Sequence, residues 1–138
     1  MKTFSEVINE ANSNWAGVKI IEGNGKLTEL FNKYKTDDMN DWVNQDYHMT
    51  IAMTGLPEAI KEREGETVDL TVTAIGWDDK AIGVKVSGPF TSNVVRKIPH
   101  ITLKYPNQTG KGGYYTGDIK TWKNIPNFKV KGILTTGL

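Results

Sequence analysis

Hydrophobic positions along this chain switch between helical and strand spacing, and the switches mark out a few short helices and a larger number of strands. Thr3-Phe4-Ser5-Glu6 has the form of a capping box, and Phe4, Val7, Ile8 and Ala11 follow it on one helical face. The β-branched run at residues 18–21 predicts a short strand, closed by Gly23-Asn24-Gly25. Leu27, Leu30, Phe31 and Tyr34 then recur at i, i+3, i+4 and i+7 and predict a second helix. Residues 36–46 are polar and acidic apart from Met39, Trp42 and Val43, and predict a loop. A strand is expected over residues 47–54, stopped by Gly55-Leu56-Pro57, with one or two exposed helical turns over 58–64. Residues 67–77 alternate, with Val68, Leu70, Val72 and Ala74 on one side, and Asp78-Asp79-Lys80 separates them from a run at 81–86, the clearest hairpin in the chain. A further strand, 100–105, lies between Pro99 and Pro106, since proline lacks the donor a sheet interior needs. A glycine-rich loop at 107–113 and a last strand over 128–134 complete the pattern.

Strands fill the middle and helices the ends, which argues for an α+β fold with largely antiparallel sheets rather than a repeating βαβ unit. At 138 residues and 15.4 kDa the chain is expected to form one domain, 1–138, large enough to bury a core without cross-links. It has no cysteine, which excludes disulfides, thiolate catalysis and cysteine-based zinc sites. Seventeen basic and sixteen acidic residues leave a net charge of +1, too little for a surface that binds long duplex nucleic acid. With no apolar signal region and no run of 18 apolar residues, the expected location is the cytoplasm, and no membrane partner is expected.

Chemistry enters through the two histidines, the only ones present. They stand in Tyr47-His48-Met49-Thr50-Ile51 and Pro99-His100-Ile101-Thr102-Leu103, each with a threonine two residues on. In a strand, His48 and Thr50 project to one face and Tyr47, Met49 and Ile51 to the other, and His100 and Thr102 repeat the arrangement. Threonine fills 15 of the 138 positions, so composition alone gives both histidines this partner with a probability of roughly 1%. Two imidazoles with unperturbed pKa near 6.5, one accepting and one donating a proton, together with two hydroxyls for the phosphate oxygens, suit phosphodiester cleavage near neutral pH. Outside these motifs no convincing internal repeat stands out, so any duplication is expected to be structural.

The paired His-x-Thr motifs, the second reading Pro-His-Ile-Thr-Leu, resemble those of the two-histidine (2H) phosphoesterase superfamily. That family includes RNA 2′,3′-cyclic phosphodiesterases, 2′,5′-oligoadenylate phosphodiesterases and phage enzymes that destroy the cyclic oligonucleotide signals of anti-phage (CBASS) immunity. The resemblance implies a bilobal α+β fold with two largely antiparallel sheets around a central cleft, and metal-independent catalysis with no cofactor. It carries over His48 and His100 as the acid–base pair, with His48 on the 2′-oxygen side, and Thr50 and Thr102 as phosphate binders. The resemblance rests on about ten residues, and the spacing of 52 residues between the histidines is short for the family. That compactness suits a small substrate and a phage-encoded protein acting in its host's cytoplasm.

Three further residues are candidates for substrate binding. Lys104 continues the alternation of the His100 face and is expected to neutralise a phosphate, while Trp77 and Trp15 are the expected stacking surfaces for bases. Lys111, in the glycine-rich loop, is more ordinarily a solubilising lysine. A metal site is not expected, because each strand offers one imidazole and no His-x-His or His-x-x-x-His occurs. The leading functional expectation is a phosphodiesterase for small cyclic or short ribo-oligonucleotide signals. The alternatives are RNA-repair 2′,3′-cyclic phosphodiesterase activity and a non-catalytic nucleotide-binding or structural phage protein.

Overall fold

Ala16–Glu22 forms the first strand, β1, in which Val18 and Ile20 are buried and Lys19 is exposed, the alternation that a one-sided core demands. The computed structural model describes residues 15–44, 46–95, 98–106 and 116–138; the expected opening helix at 4–11 and the glycine-rich loop with Lys111 lie outside them. After β1 comes the one α-helix among the described residues, α1 (Asn24–Tyr34), which buries Leu27 and Phe31 as its periodicity predicts. The expected loop 36–46 carries a 3₁₀ turn, Asp37–Met39, and a two-residue strand, β2 (Val43–Asn44). Met39 and Trp42 are buried there, so the apolar residues of that polar stretch join the core.

The remaining strands are β3 (His48–Ala52), β4 (Thr67–Trp77), β5 (Ile82–Ser87), β6 (His100–Tyr105) and β7 (Trp122–Thr136). The β4–β5 hairpin forms where the alternation places it, and the Asp78 carboxylate closes its turn by accepting from the Lys80 and Ala81 amides. Its faces differ in one respect from the simple alternation. A bulge between Val72 and Ala74 brings Ala74 opposite Lys85 and sets Ile75 opposite Val84, so Ile75, not Ala74, continues the core face of Val72. β7 extends to both sides of the expected 128–134. Its pairing with β4 jumps from Val72↔Phe128 to Ala74↔Asn124, and Pro126 sits inside that irregularity, where no ladder donor is required.

All ladder pairs are antiparallel, and the strands join into one seven-stranded sheet of order β2-β6-β5-β4-β7-β1-β3. The fold is therefore α+β, and the two expected sheets are one, joined along the long β4–β7 pair. The sheet curls into a nearly closed barrel, because β3 and β6, which are not ladder partners, approach within 8 Å Cα to Cα. Five antiparallel steps separate them around the sheet, so they run in opposite directions across this seam. With β2 set aside, the order reads the same from either end: a histidine strand, its partner, then a long strand. Among the described residues no helix is long and apolar enough to cross a membrane.

The correspondence of the two halves extends to residues. Gly17-Val18-Lys19 on β1 pairs with Thr50, Met49 and His48, and Gly83-Val84-Lys85 on β5 pairs with Thr102, Ile101 and His100. In both halves the register slips at the residue before the glycine, so that Ala16 faces Ala52 and Ile82 faces Lys104. The amide of the residue after each lysine donates to the carbonyl before each histidine: Ile20 to Tyr47 at 3.0 Å and Val86 to Pro99 at 3.3 Å. A Cβ on Gly17 would overlap the Met49 carbonyl oxygen, and one on Gly83 would come within 2.9 Å of the Ile101 carbonyl oxygen. The close strand approach beside each threonine thus requires glycine.

Gly17→Ala and Gly83→Ala are each expected to lower stability by about 1–3 kcal/mol, since backbone atoms must give way. Gly25→Ala on α1, where a Cβ meets nothing within 4 Å, should instead raise it by up to about 1 kcal/mol. Urea denaturation of the three variants checks the contrast, and equal midpoints would remove the steric requirement.

Candidate functional site

His48 opens β3 and His100 opens β6, and both are half-buried on the face opposite the core residues Met49, Ile51, Ile101 and Leu103. Each strand is held in place from its apolar side. Tyr47, buried immediately before His48, makes a 2.9 Å hydroxyl hydrogen bond with Thr28 of α1, which ties the start of β3 to the helix.

The two rings are oriented alike. His48 Nδ1 lies 2.7 Å from the carbonyl oxygen of Asp46, and His100 Nδ1 lies 2.7 Å from that of Ile98, in each case the residue two before the histidine. A carbonyl oxygen can only accept, so Nδ1 carries the proton in both rings and Nε2 keeps its lone pair when the ring is neutral. Nε2 is thereby the basic nitrogen of each neutral ring. Burial holds the His48 pKa below the usual imidazole value of 6.5, and the Lys19 charge opposite it acts in the same direction. The hydrogen bond to the Asp46 carbonyl and the Asp46 carboxylate oppose that shift without cancelling it.

The threonines differ in surroundings. Thr50 is half-buried, whereas Thr102 is 2% exposed and makes a 2.6 Å hydrogen bond with the hydroxyl of Thr116, itself wholly buried on the turn before β7. Thr116 also packs its methyl against Gly83, where a side chain would collide with it. The second half-site thus contains a threonine pair.

Of the other expected binding residues, two are turned elsewhere. The register slip places Lys104 opposite Ile82, a core residue, instead of on the Thr102 face, and its ammonium lies 4.6 Å from the centroid of the Phe31 ring on α1. The expectation that Lys104 continues the His100 face is corrected by this bulge. Trp77 also pairs with Ile82, and its ring stands 5.9 Å from Tyr34 of α1; Gly76, its neighbour, points to the histidine side. The stacking surface expected of Trp77 is therefore on the opposite face of the sheet. Trp15 is half-buried just ahead of β1, two residues before Gly17, and its carbonyl accepts from Gly137 and Leu138.

Sequence reasoning passed over Lys19 and Lys85, which the pairing sets directly opposite His48 and His100. It also passed over Trp122, whose ring lies against Gly76 and 5.1 Å from the Lys85 ammonium. The signal for the lysines was present in the chain as the repeated tripeptide Gly-Val-Lys at 17–19 and 83–85. Each lysine stands one strand further from the β3–β6 seam than the histidine it faces. Among the described residues no group of three or more His, Cys, Asp or Glu side chains is placed to hold a metal ion. Chemically, each half-site sets a proton carrier opposite a cation, a pairing fitted to an anion. No protein-family model and no curated protein matches the chain.

Two consequences can be measured. Thr116→Val leaves the buried Thr102 hydroxyl without its partner and is expected to cost about 1–3 kcal/mol in chemical denaturation. For pH, the folded pKa of His48 is depressed, so the unfolded chain takes up the proton first. The contribution of His48 is fully present above about pH 6.5 and declines as pH falls from there toward the folded pKa. His48→Gln should flatten that part of the stability curve, and an unchanged curve would show that His48 titrates alike in both states.

Proposed function

We propose that the chain is a two-histidine phosphoesterase, a metal-independent phosphodiesterase that cleaves small ribonucleotide phosphodiesters of the cyclic or short oligonucleotide kind used as anti-phage immune signals. The observation that carries this reading is the duplicated half-site, in which each His-x-Thr strand is paired with a Gly-Val-Lys strand and each imidazole is anchored through Nδ1 to the carbonyl two residues before it. The symmetry of the ladder about β4 and β7 supports the bilobal arrangement that the family resemblance implies, with one lobe on either side of that pair.

In the proposed reaction His48 Nε2 takes the proton from the attacking hydroxyl, the 2′-hydroxyl of the ribose beside the scissile phosphate. The oxygen attacks phosphorus, the bond from phosphorus to the leaving oxygen breaks, and His100 Nε2–H gives that oxygen its proton. The products are a 2′,3′-cyclic phosphate and a free hydroxyl, with His48 protonated and His100 neutral. His48 suits the base role because burial and Lys19 favour its neutral form. For His100 the Nδ1–H bond to Ile98 persists whether or not Nε2 is protonated, so the ring keeps its orientation through the cycle. Thr50, half-buried, binds a non-bridging oxygen, whereas Thr102, expected to do the same, is covered by Thr116 and not open to the phosphate.

Replacing His48 or His100 by Ala should reduce kcat by about 10²–10⁴-fold, and the double variant should lose much less than the product of the two effects. Near-wild-type turnover in either single variant would sink the mechanism. Activity should survive exhaustive chelation, because the side chains opposite the two imidazoles are lysines, which repel a metal cation. Loss on chelation with recovery on adding one ion would favour a metal enzyme. A ribo substrate and its 2′-deoxy counterpart, analysed by mass spectrometry, separate the nucleophiles: equal cleavage of both would refute the 2′-hydroxyl route and leave water as the attacking group.

A further inference from the structure

We infer that Lys19 and Lys85 bind the phosphates on either side of the scissile one, so that the preferred substrate is an internal linkage of an oligonucleotide rather than a terminal nucleotide. The inference rests on the proposed phosphodiester chemistry and adds to it which residues choose among substrates. Its basis is the second duplicated motif. Both lysines are cross-strand partners of the histidines, on β1 and β5, and each lies one strand further from the seam than its histidine. Adjacent strands are about 4.8 Å apart, so the backbone of each lysine lies one strand spacing from that of the histidine it faces.

A lysine directly opposite an imidazole is unfavourable whenever that ring is protonated, because like charges across a strand pair repel. In an acid–base cycle one ring is protonated at every stage, so each half-site contains this conflict in turn. An anion bound beside the lysine relieves it. One diester phosphate between the histidines carries a single negative charge, and two flanking lysines exceed what it can neutralise. A linkage with a phosphate on each side supplies the two further charges at the two outer positions. A dinucleoside monophosphate, with one phosphate in all, leaves both lysines without an anion. Lys85 rests over the Trp122 ring, which holds that ammonium on the His100 side of the sheet and offers an aromatic face beside it.

The test compares the full-length protein with Lys19→Gln, Lys85→Gln and the corresponding Lys→Arg variants on two substrates. These are the dinucleoside monophosphate adenylyl-(3′,5′)-adenosine, with one phosphate and a free 2′-hydroxyl beside it, and linear ribotetraadenylate, whose central linkage has a phosphate on each side. Each Gln variant should raise KM for that central linkage about tenfold, with kcat changed much less, and leave the monophosphate KM near its original value. The Arg variants should recover most of the loss. In parallel, tripolyphosphate and inorganic phosphate are titrated while the histidine ring resonances are followed by NMR at several salt concentrations. Tripolyphosphate binding should weaken with rising salt, and less steeply after each lysine is removed. Turnover with unchanged KM values in the Gln variants, or equal losses on both substrates, overturns the lysine assignment and leaves the phosphodiesterase reading standing. If neither substrate is turned over, the phosphodiesterase reading fails, and tripolyphosphate binding decides the lysines alone. Binding that weakens in both Gln variants supports them, and absent or lysine-independent binding overturns them.

Discussion

Everything distinctive in this structure depends on how closely two strand pairs approach, β1 with β3 and β5 with β6. At Gly17 and Gly83 the backbone comes so near the carbonyl of Met49 and of Ile101 that no side chain fits. The register slips there, and the slip decides which residues share a face. On the seam side of the slip, lysine faces histidine and glycine faces threonine. Beyond it, Ala52 and Lys104 leave the polar face. A bulge reverses the side on which the following residues emerge. A polar patch two residues long can therefore sit on strands whose remaining side chains, among them Met49, Ile51, Ile101 and Leu103, belong to the core.

The same pairing sets the electrostatics. A histidine on an isolated strand is free to rotate and to hold its proton on either nitrogen. Here the carbonyl two residues back fixes both, and does so twice. Preorganisation of this kind matters for proton transfer, since a ring already aimed loses no orientational freedom when substrate arrives. Burial biases the His48 ring toward the neutral form, and the charge of Lys19 opposite it acts in the same direction. An anion at the site would shift the bias back, so charge on the ligand and protonation of the rings are linked.

Much of this was legible in the sequence. The His-x-Thr repeats marked both polar strands, the alternation from Thr67 placed the hairpin, and the period of Leu27, Phe31 and Tyr34 placed α1. What escaped was set by pairing between distant segments. Gly-Val-Lys is too short to stand out as a repeat until β1 is seen beside β3 and β5 beside β6. Lys104, Ala74 and the length of β7 were misread for one reason: each involves a bulge, and strict alternation has no term for an extra residue. Trp77 and Trp122 are equally aromatic in sequence, and only the faces of Gly76 and Ile82 decide that one looks toward α1 and the other toward Lys85. Met39 and Trp42 show the converse, since a stretch polar on average still delivers two side chains to the core.

The two half-sites share a backbone but not their surroundings. On the β1–β3 side the lysine is exposed and Thr50 is half-buried, so this half meets solvent. On the β5–β6 side the lysine lies over Trp122, and Thr102 is covered by Thr116. Two identical histidines would have equal proton affinities and no preferred direction of transfer. Proton transfer across a phosphate needs one ring to be the better acceptor at the moment of attack. Duplication supplies two rings anchored alike, while Lys19 differs from Lys85 and Thr50 from Thr102 in what surrounds them. In this fold the symmetric part is backbone, held by glycine and the strand ladder, and the asymmetric part is side chain, which is the part free to vary without disturbing the pairing.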